Sequence, residues 1–471
     1  MAGSIIRQFL AVQRRGHWIP TFVEMTAHRP ARAGATLLRI GCLLIAATVT
    51  ACGGGGSSGS APPPGPTACS AEGQKQTVLD VMQDIYLYND QLPAVDPDDF
   101  ATPEALLSAL IVNPPDRFTS IGSAAADDAF FGEGQFIGLG FISALLSSEE
   151  LRIAEVFEGS PADDAGLERG HRVVTINGRT IADINAAEGI DAALGPAEIG
   201  VQVDLGIADL QGDEFEAIIT KAVVTIPPVP IATVFDVAGE PTGYLYFRTF
   251  VEPSFAALDA AFAEFAEDGV RDLIVDVRYN GGGLIAVADF LGNLLGGLDA
   301  NGQVFSMTVF NANNAFRNTT TLFMNETNSL QLDRLVFITT GATASASELV
   351  INSLMPHVEE TFLVGSDTFG KPVGSLGFTF CEKIIRPISF ETVNSDGDGD
   401  YFNGLQADCP AADDLDFVLG DPAEASLAEA LFVAENGACS AMTGAMRETA
   451  SGQRSDISRT QNLWRLLINA H

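Results

Sequence analysis

The spacing of apolar residues along the chain changes twice. From residue 71 to about 123, the segments TVLDVMQDIYLY and TPEALLSAL repeat apolar positions at helical spacing, which predicts short helices. From 132 to about 225, short β-like runs such as FIGLGFIS and FEAIITKAVV alternate with turns, which predicts a β module. From 229 to 436, strand-like and helix-like segments alternate, which predicts βαβ units and a parallel sheet. The pattern therefore predicts a mixed α/β chain.

Three loops of the predicted parallel sheet are expected to meet. The loops are DVRYNGGG (276–283), TGATASAS (340–347) and SDTFGK (366–371), and each follows a strand-like segment. In right-handed βαβ units, the segments that follow parallel strands emerge at one edge of the sheet, where such folds bind ligands. We therefore expect Ser345 and Lys371 to lie at the same edge, although 26 positions separate them.

These loops carry the parts of an acyl-transfer site. A serine on a strand-to-helix turn exposes its hydroxyl near backbone N–H groups that favour a developing negative charge. Histidine is an improbable base, because His357 lies twelve residues beyond Ser345, roughly 18 Å along a helix, and His171 belongs to the β module. Lys371 is one of four lysines, and beside Phe369 in a crevice we expect desolvation to lower its pKa.

The first 51 residues predict an export signal. RPARAGATLLRIGCLLIAATVTAC (29–52) has arginines, a short apolar run and small residues before Cys52. VTAC resembles the bacterial lipoprotein cleavage box, which implies lipidation of Cys52; ordinary secretory cleavage is the alternative. We expect an exported protein that is anchored in the bacterial cell envelope, facing the periplasm or the exterior.

The composition adds two constraints. The net charge is -36, and without residues 1–51 (six Arg, one Glu) the remaining 19 basic and 60 acidic residues give -41, which disfavours a nucleic-acid partner.

Four cysteines remain beyond the signal and the anchor, and in an exported chain they predict two disulfides. We favour pairing Cys381 with Cys409, which bracket one excursion, and Cys69 with Cys439, which would tie the chain ends. A zinc site is disfavoured because no Cys or His pairs occur at ligand spacing.

The motifs resemble those of the C-terminal processing peptidases, or tail-specific proteases, which are serine proteases with a Ser/Lys dyad. TASASELV, VGSDTFGKPVG and DVRYNGGG carry the resemblance over about residues 70 to 440. It implies Ser345 as nucleophile, Lys371 as general base, and N–H groups of Gly282 or Gly283 and of Ala346 as oxyanion donors. No metal or nucleotide cofactor is implied. Many relatives orient the lysine with a Gln four residues on, where this chain has Ser375.

The resemblance extends to the β module. GLGF resembles the carboxylate-binding loop of PDZ domains, in which N–H groups of a Gly-rich turn hold a peptide C-terminus beside a strand edge. The residues concerned are Gly138, Leu139, Gly140 and Phe141. The resemblance thus implies a crotonase- or Clp-protease-like βαβ peptidase core with an inserted PDZ-like module and an N-terminal helical segment, acting on protein C-termini.

The predicted organisation has six parts. They are a lipoprotein signal peptide (1–51), a Gly/Ser/Pro tether (52–68), a helical segment (69–123), a PDZ-like domain (132–225), a peptidase core (229–440) and a tail (441–471). A non-catalytic peptide- or apolar-ligand-binding protein on the same fold remains the alternative function. We interpret Ser347 and Glu348 as residues of the first turn of a helix. We interpret NSDGDGDYFNGL (394–405) as an acidic loop rather than a calcium site, because Leu405 stands where a calcium loop needs a bidentate Glu.

Overall fold

The computed structural model describes residues 68–441, together with the backbone of two short strands near the N-terminus, β1 (Leu10–Arg14) and β2 (His17–Thr21), which pair antiparallel. The predicted signal peptide, apart from those strands, Cys52 with most of the tether, and the tail beyond 441 lie outside the described residues. Residues 68–441 belong to one compact unit. Among the described residues, no helix has both the length and the hydrophobicity needed to cross a membrane.

The N-terminal segment begins with two capped helices. Ser70 accepts the N–H of Gly73 at the start of the first helix, and Thr102 accepts the N–H of Ala105 at the start of the second, as N-cap residues do. The apolar faces of the two helices pack together. The elements are α1 (Ala71–Ile85), α2 (Pro103–Leu110), β3 (Ser120–Ser123) and α3 (Ala124–Asp128).

The β module follows, with its own apolar core. The chain runs through β4 (Gln135–Gly138), β5 (Phe141–Leu145), β6 (Leu151–Val156), α4 (Pro161–Asp164), β7 (Arg172–Ile176), β8 (Arg179–Thr180), α5 (Ile181–Ala187), α6 (Ile190–Leu194), β9 (Gln202–Ala208), β10 (Glu214–Thr220) and β11 (Ala222–Thr225). The main sheet has the order β10-β9-β7-β6-β5, and β11 pairs with β4. β5 is therefore an edge strand of the module.

The remaining elements build the core. They are β12 (Ile231–Val237), β13 (Glu240–Tyr246), α7 (Ser254–Glu267), β14 (Asp272–Asp276), α8 (Ile285–Ala300), β15 (Val304–Phe310), β16 (Thr319–Leu322), β17 (Arg334–Thr339), α9 (Ala346–Leu354), β18 (Glu360–Gly365), β19 (Val373–Ser375), β20 (Phe378–Phe380), β21 (Lys383–Arg386), β22 (Ile388–Val393), β23 (Cys409–Pro410) and α10 (Ala425–Asn436).

The central sheet has the order β12-β13-β14-β17-β18-β23, and its strands from β13 onward are parallel. β14 and β17 are buried along nearly their whole length, as strands covered on both faces are. Helices α7, α8 and α9 cover one face of this sheet, and α10 contributes to the apolar cluster on the other. The predicted α/β class, with a parallel core, a PDZ-like module and an N-terminal helical segment, is confirmed.

Two smaller sheets were not predicted. One has the order β16-β15-β22-β19, and the other joins β20 and β21 to β3 of the N-terminal segment. Apart from β3, which lies in the segment predicted to be helical, these antiparallel strands occupy sequence that the alternating pattern assigned to βαβ units. β3 shows that the N-terminal segment is hydrogen-bonded into the core.

The favoured disulfide pairing was wrong. The structure joins Cys69 to Cys381 and Cys409 to Cys439. Cys381 lies in the tight turn between β20 and β21, and the pairing of β21 with β3 brings that turn to the start of the N-terminal segment. Cys409 is in β23, beside the end of α10, where the chain reaches Cys439. The pairing follows strand adjacency, which sequence separation does not reveal.

Candidate active site

The three predicted loops do converge. β14, β17 and β18 are parallel neighbours in register, with Asp276 opposite Ile338 and Ile338 opposite Val364. Their carboxyl ends therefore open at one edge of the sheet. A cleft at this edge is lined by Gly281–Gly283, Ser345 with Ala346, and Lys371, one set from each loop.

Ser345 occupies a backbone conformation that is rare for a residue with a side chain. Its φ is 57° and its ψ is -113°, and α9 begins at the next residue, Ala346. Such a conformation costs of order 1–3 kcal/mol and persists only where the surroundings impose it, which is common at functional sites. The turn places the Ser345 side chain on the cleft wall at the N-terminus of a helix.

The neighbouring hydroxyl groups are committed elsewhere. Ser347 is buried and donates to the carbonyl oxygen of Asn280 at 3.0 Å. Thr343 is also buried and donates to the carbonyl oxygen of Val277 at 2.8 Å. The structural interpretation of Ser347 agrees with this geometry, and Ser345 is the serine of this turn that lines the cleft.

Lys371 is the lysine at the cleft. Its ammonium lies 5.6 Å from the ring centroid of Phe118. The other three lysines are engaged away from this edge: Lys75 donates to two carbonyl oxygens, Lys221 does the same, and Lys383 pairs with Glu104. The choice of Lys371 among the four lysines, made from the sequence, is therefore consistent with the geometry.

Glu348 joins the serine loop to the lysine loop. Its Oε2 accepts the backbone N–H of Ser345 and that of Lys371, both at 2.8 Å. Its Oε1 accepts the N–H of Gly370 at 2.7 Å and the hydroxyl of Thr368 at 2.5 Å. Burial raises the pKa of Glu348, while these hydrogen bonds act in the opposite direction. The sequence pattern indicated only a first-turn helix residue at Glu348, and this bridge was missed.

Two of the three residues predicted as oxyanion donors, Gly282 and Gly283, lie in the glycine loop. The prediction of Gly282 as an oxyanion donor needs correction, because its N–H already donates to Oδ1 of Asn280 at 2.9 Å. Gly282 instead allows close approach: a Cβ there would lie 2.7 Å from the nitrogen of Ala346. No acceptor for the N–H of Gly283 or Ala346 is found within residues 68–441, and both residues line the cleft.

Asn280 braces this arrangement. Its side-chain amide donates to the carbonyl oxygen of Phe247, and its own carbonyl oxygen accepts the N–H of Ala344 and the hydroxyl of Ser347. One buried residue thus connects the end of β13, the glycine loop and the serine turn. The sequence signal available for it was its position inside DVRYNGGG, which did not identify the role.

Ser375 lies on the wall of the same cleft, at the end of β19. Its suggested function of orienting Lys371 stays a prediction. The two histidines lie elsewhere: His357 contacts the carbonyl oxygen of Val304 at 3.0 Å, and His171 is buried in the β module.

The N-terminal segment forms a wall that the sequence pattern did not predict. Phe118 of this segment lines the cleft, together with Phe130 and Phe131 just beyond the segment. Arg117 stacks on Phe369, with its guanidinium carbon 4.4 Å from the ring centroid, and donates to the carbonyl oxygen of that residue. This contact braces the loop that carries Lys371 across 252 positions of sequence.

The GLGF turn of the β module has a closely packed backbone. The carbonyl oxygen of Gly140 accepts the N–H of Phe157 and the hydroxyl of Ser160, and that of Leu139 accepts the N–H of Ala162. A Cβ at Gly140 would meet that of Ser160 at 2.1 Å. The N–H groups of Leu139 and Gly140 have no acceptor among the described residues, and the turn leads into the edge strand β5.

A buried ionic network joins the β module to the core. Arg169 of the module donates to Asp413 at 2.7 Å and to the hydroxyl of Tyr279 at 2.6 Å. Arg278, fully buried, pairs with Asp276, Asp413 and Glu424. Although burial acts the other way, Arg169 and Arg278 lower the pKa of Asp413 to about 2. The first residues of the glycine loop, Asp276 and Arg278, therefore belong to an ionic network to which the β module contributes Arg169.

The acidic segment at 394–400 forms a turn. Oδ1 of Asn394 accepts the N–H groups of Asp396 and Asp398, and its amide donates to the carbonyl oxygen of Asn352. Asn394 thus serves the loop itself, in agreement with the loop interpretation.

Comparison with family models identifies the components. The peptidase S41 N-terminal domain matches residues 73–120, a PDZ domain matches 152–193, and peptidase family S41 matches 241–408, which contains Ser345 and Lys371. Residues 73–120 and 241–408 of this chain are therefore similar to the two domains of S41 peptidases.

Two curated relatives are named as C-terminal processing enzymes. The C-terminal processing peptidase of the Tetradesmus obliquus chloroplast is 27% identical over 235 residues, covering 48% of each chain. The carboxy-terminal-processing protease of Bartonella bacilliformis is 26% identical over 249 residues, covering 51% of this chain and 52% of the relative. The chain thus matches about half the length of these curated relatives.

A solved S41 structure is also similar. The putative S41 protease from Bacteroides fragilis NCTC 9343 superposes with a TM-score of 0.62 at 25% identity, covering 76% of this chain and 96% of that chain. The likeness therefore covers more of the chain than the 241–408 region alone.

Proposed function

We propose that this chain is a serine endopeptidase that hydrolyses peptide bonds near the C-termini of protein substrates, with Ser345 as nucleophile and Lys371 as general base. The observation that supports this most is the shared cleft of the two residues, whose backbones hydrogen-bond to one oxygen of Glu348. The match to a peptidase family, and relatives named C-terminal processing proteases, agree with it.

The chemistry follows from the two side chains. Neutral Lys371 takes the proton of the Ser345 hydroxyl as the serine oxygen bonds to the scissile carbonyl carbon. The lysine then gives that proton to the leaving amine as the C–N bond breaks. Lys371 then takes a proton from a water molecule as the water attacks the acyl-enzyme carbonyl carbon. It returns that proton to the Ser345 oxygen as the ester bond breaks, which releases the product carboxyl group and restores the serine hydroxyl.

The negative charge that develops on the carbonyl oxygen needs donors. We assign the N–H groups of Gly283 and Ala346, because both face the cleft and neither is used within the described residues. Ala346 is the first residue of α9, so the helix dipole favours an anion there. Removal of one such donor in other enzymes costs about 10²–10³ in kcat.

The PDZ-like module would hold the substrate tail. The unused N–H groups of Leu139 and Gly140 suit a terminal carboxylate, and the open edge of β5 suits a peptide that adds as a strand. Phe141 begins that edge strand and would lie beside the last residue of the bound peptide. A tail amidated at its C-terminus should therefore bind less tightly than the same tail with a free carboxylate.

The deciding experiment is cleavage of an unstructured protein such as casein by the wild type and four variants. We expect Ser345→Ala and Lys371→Ala to be inactive, while Ser108→Ala and Lys383→Ala, a serine and a lysine that do not line the cleft, retain cleavage. Activity should rise with pH through one ionisation, because the base must be neutral. A folded wild type that binds tail peptides but neither cleaves nor reacts with an acylating probe would instead indicate a non-catalytic binding protein.

We further propose export and lipid anchoring through Cys52, with a location in the bacterial cell envelope. The proposal rests on the sequence of residues 29–52. Metabolic labelling with a fatty acid should mark the wild type and not Cys52→Ala. A soluble, unlabelled wild type recovered outside the cytoplasm would support ordinary secretory cleavage instead.

A further inference from the structure

Strand β16 is an open edge of the core. It pairs with β15 on one side, and no strand of the described residues covers its other side. Thr319, Thr320 and Leu322 are exposed, and the strand has no charged residue or proline to block pairing. An uncovered strand of β-branched residues without such features is a template for another strand.

The hairpin that contains β16 also displays apolar side chains. Phe316, between β15 and β16, is 78% exposed, the highest value among the large apolar side chains that are described. Met324, Leu322 and Val309 are 63%, 47% and 38% exposed. Large apolar groups gathered on one surface feature commonly mark an interaction site.

The loop that presents Phe316 is held firmly. The amide of Asn311 donates to the carbonyl oxygens of Asp84 and Tyr86, both at 2.9 Å, and the amide of Asn314 donates to that of Asp84 at 2.8 Å. These bonds fix the loop to the end of α1. A surface that is already ordered loses little conformational entropy when it binds.

The charge pattern favours a second copy of this chain as the occupant. The net charge of -36 makes two copies repel one another over most of their surface. Residues 300–325, however, contain no Asp or Glu and one Arg. The edge strand β10 of the PDZ-like module, which also exposes an apolar residue, carries Glu214 and Glu216. Two copies can therefore approach through β16 without carboxylates of the two hairpins opposing each other.

We propose that the chain forms a two-fold symmetric dimer in which β16 pairs antiparallel with β16 of a second copy. An antiparallel strand is self-complementary, as a two-fold interface requires. Phe316, Leu322 and Met324 of each copy would flank the paired strands. Because β16 and the cleft strand β19 are the two edges of one sheet, the dimer would have a continuous sheet that runs from one cleft to the other.

The test is the mass of the full chain in solution, measured by analytical ultracentrifugation over a wide range of concentrations. We expect the wild type to approach twice the mass of a single chain. Phe316→Asp and Thr320→Asp, which place a charge at the interface, should each raise the dimer dissociation constant at least about tenfold. Ile218→Asp, at a residue 67% exposed on edge strand β10, is the matched control and should dimerise like the wild type.

Circular dichroism should show native helix and strand content in all three variants, since the substituted side chains are exposed. A wild type that stays monomeric overturns the proposal, and so does a dimer that both hairpin variants leave intact. A monomer that binds lipid vesicles through Phe316 also overturns it and would make the hairpin a membrane contact. None of these readings depends on peptidase activity.

Discussion

One carboxylate oxygen of Glu348 lies 2.8 Å from the backbone nitrogen of Lys371. Because the same oxygen also accepts the N–H of Ser345, a single atom sets the separation of the two loops that carry the proposed nucleophile and base. All four groups around Glu348 donate, so the ionised carboxylate fits the site. Glu348 touches no reacting atom and is a positioning residue.

Glu348→Gln should lower kcat at least about tenfold, because an amide replaces one acceptor oxygen with a donor that faces other donors. The loss of hydrogen bonds to a charged group, about 1.5–3 kcal/mol each, should also lower the free energy of unfolding. Glu359→Gln, on an exposed glutamate after the same helix, should change neither. Steady-state kinetics will separate kcat from KM, and an unchanged kcat in Glu348→Gln would remove the positioning role.

Asp413 should control stability in acid. Its pKa of about 2 lies below the usual value of 3.8, so its ionised form stabilises the fold above about pH 4. This stabilisation, of order 2–3 kcal/mol, is lost as the pH falls through 2. Asp413→Asn should cost about 3–5 kcal/mol at neutral pH, because Arg169 and Arg278 lose a buried partner.

The matched control is Asp416→Asn, whose carboxylate pairs with Arg152 at the surface. An exposed ion pair contributes about 0–1 kcal/mol, so this variant should remain close to the wild type. Denaturant unfolding at several pH values gives both quantities. Equal effects of the two substitutions would show that the buried network does not stabilise the interface between the module and the core.

Asp289 should affect the pH dependence of stability in the opposite direction to Asp413. Burial raises its pKa to about 6, and its Oδ1 has no hydrogen-bond partner within the described residues. The folded state therefore holds the proton more tightly, so stability is greatest below about pH 4 and falls as the pH rises through 6. The fall is of order 3 kcal/mol.

Asp289→Asn should remove that loss, raising the free energy of unfolding by up to about 3 kcal/mol at neutral pH and changing it little near pH 4. Asp299→Asn, an exposed position on the same helix, is the control. Urea unfolding at the two pH values measures the difference. A stabilisation that is equal at both would show that deprotonation of Asp289 is not its source.

The part of the site that the sequence predicted correctly is the part that topology determines. Parallel strands in βαβ units place the segments that follow them at one edge, so the order of strands and helices was enough to bring Ser345, Lys371 and the glycine loop together. The clamp by Glu348 was missed, because it depends on N–H groups 22 and 23 positions away whose directions follow from the loop conformation. The wall formed by Phe118 was missed for a similar reason, since antiparallel pairing of β3 with β21 left no periodic signal.

The disulfides offer a test of the corrected pairing. Cys69–Cys381 closes 312 positions and Cys409–Cys439 closes 30, and a longer loop removes more entropy from the unfolded chain. Cys69→Ser/Cys381→Ser should therefore lower the free energy of unfolding by about 2 kcal/mol more than Cys409→Ser/Cys439→Ser, on the loop-entropy relation. Non-reducing peptide maps should show one linked pair lost in each double variant. Linkage of Cys381 to Cys409 would support the pairing expected from the sequence and contradict the hydrogen bonding of β21 with β3.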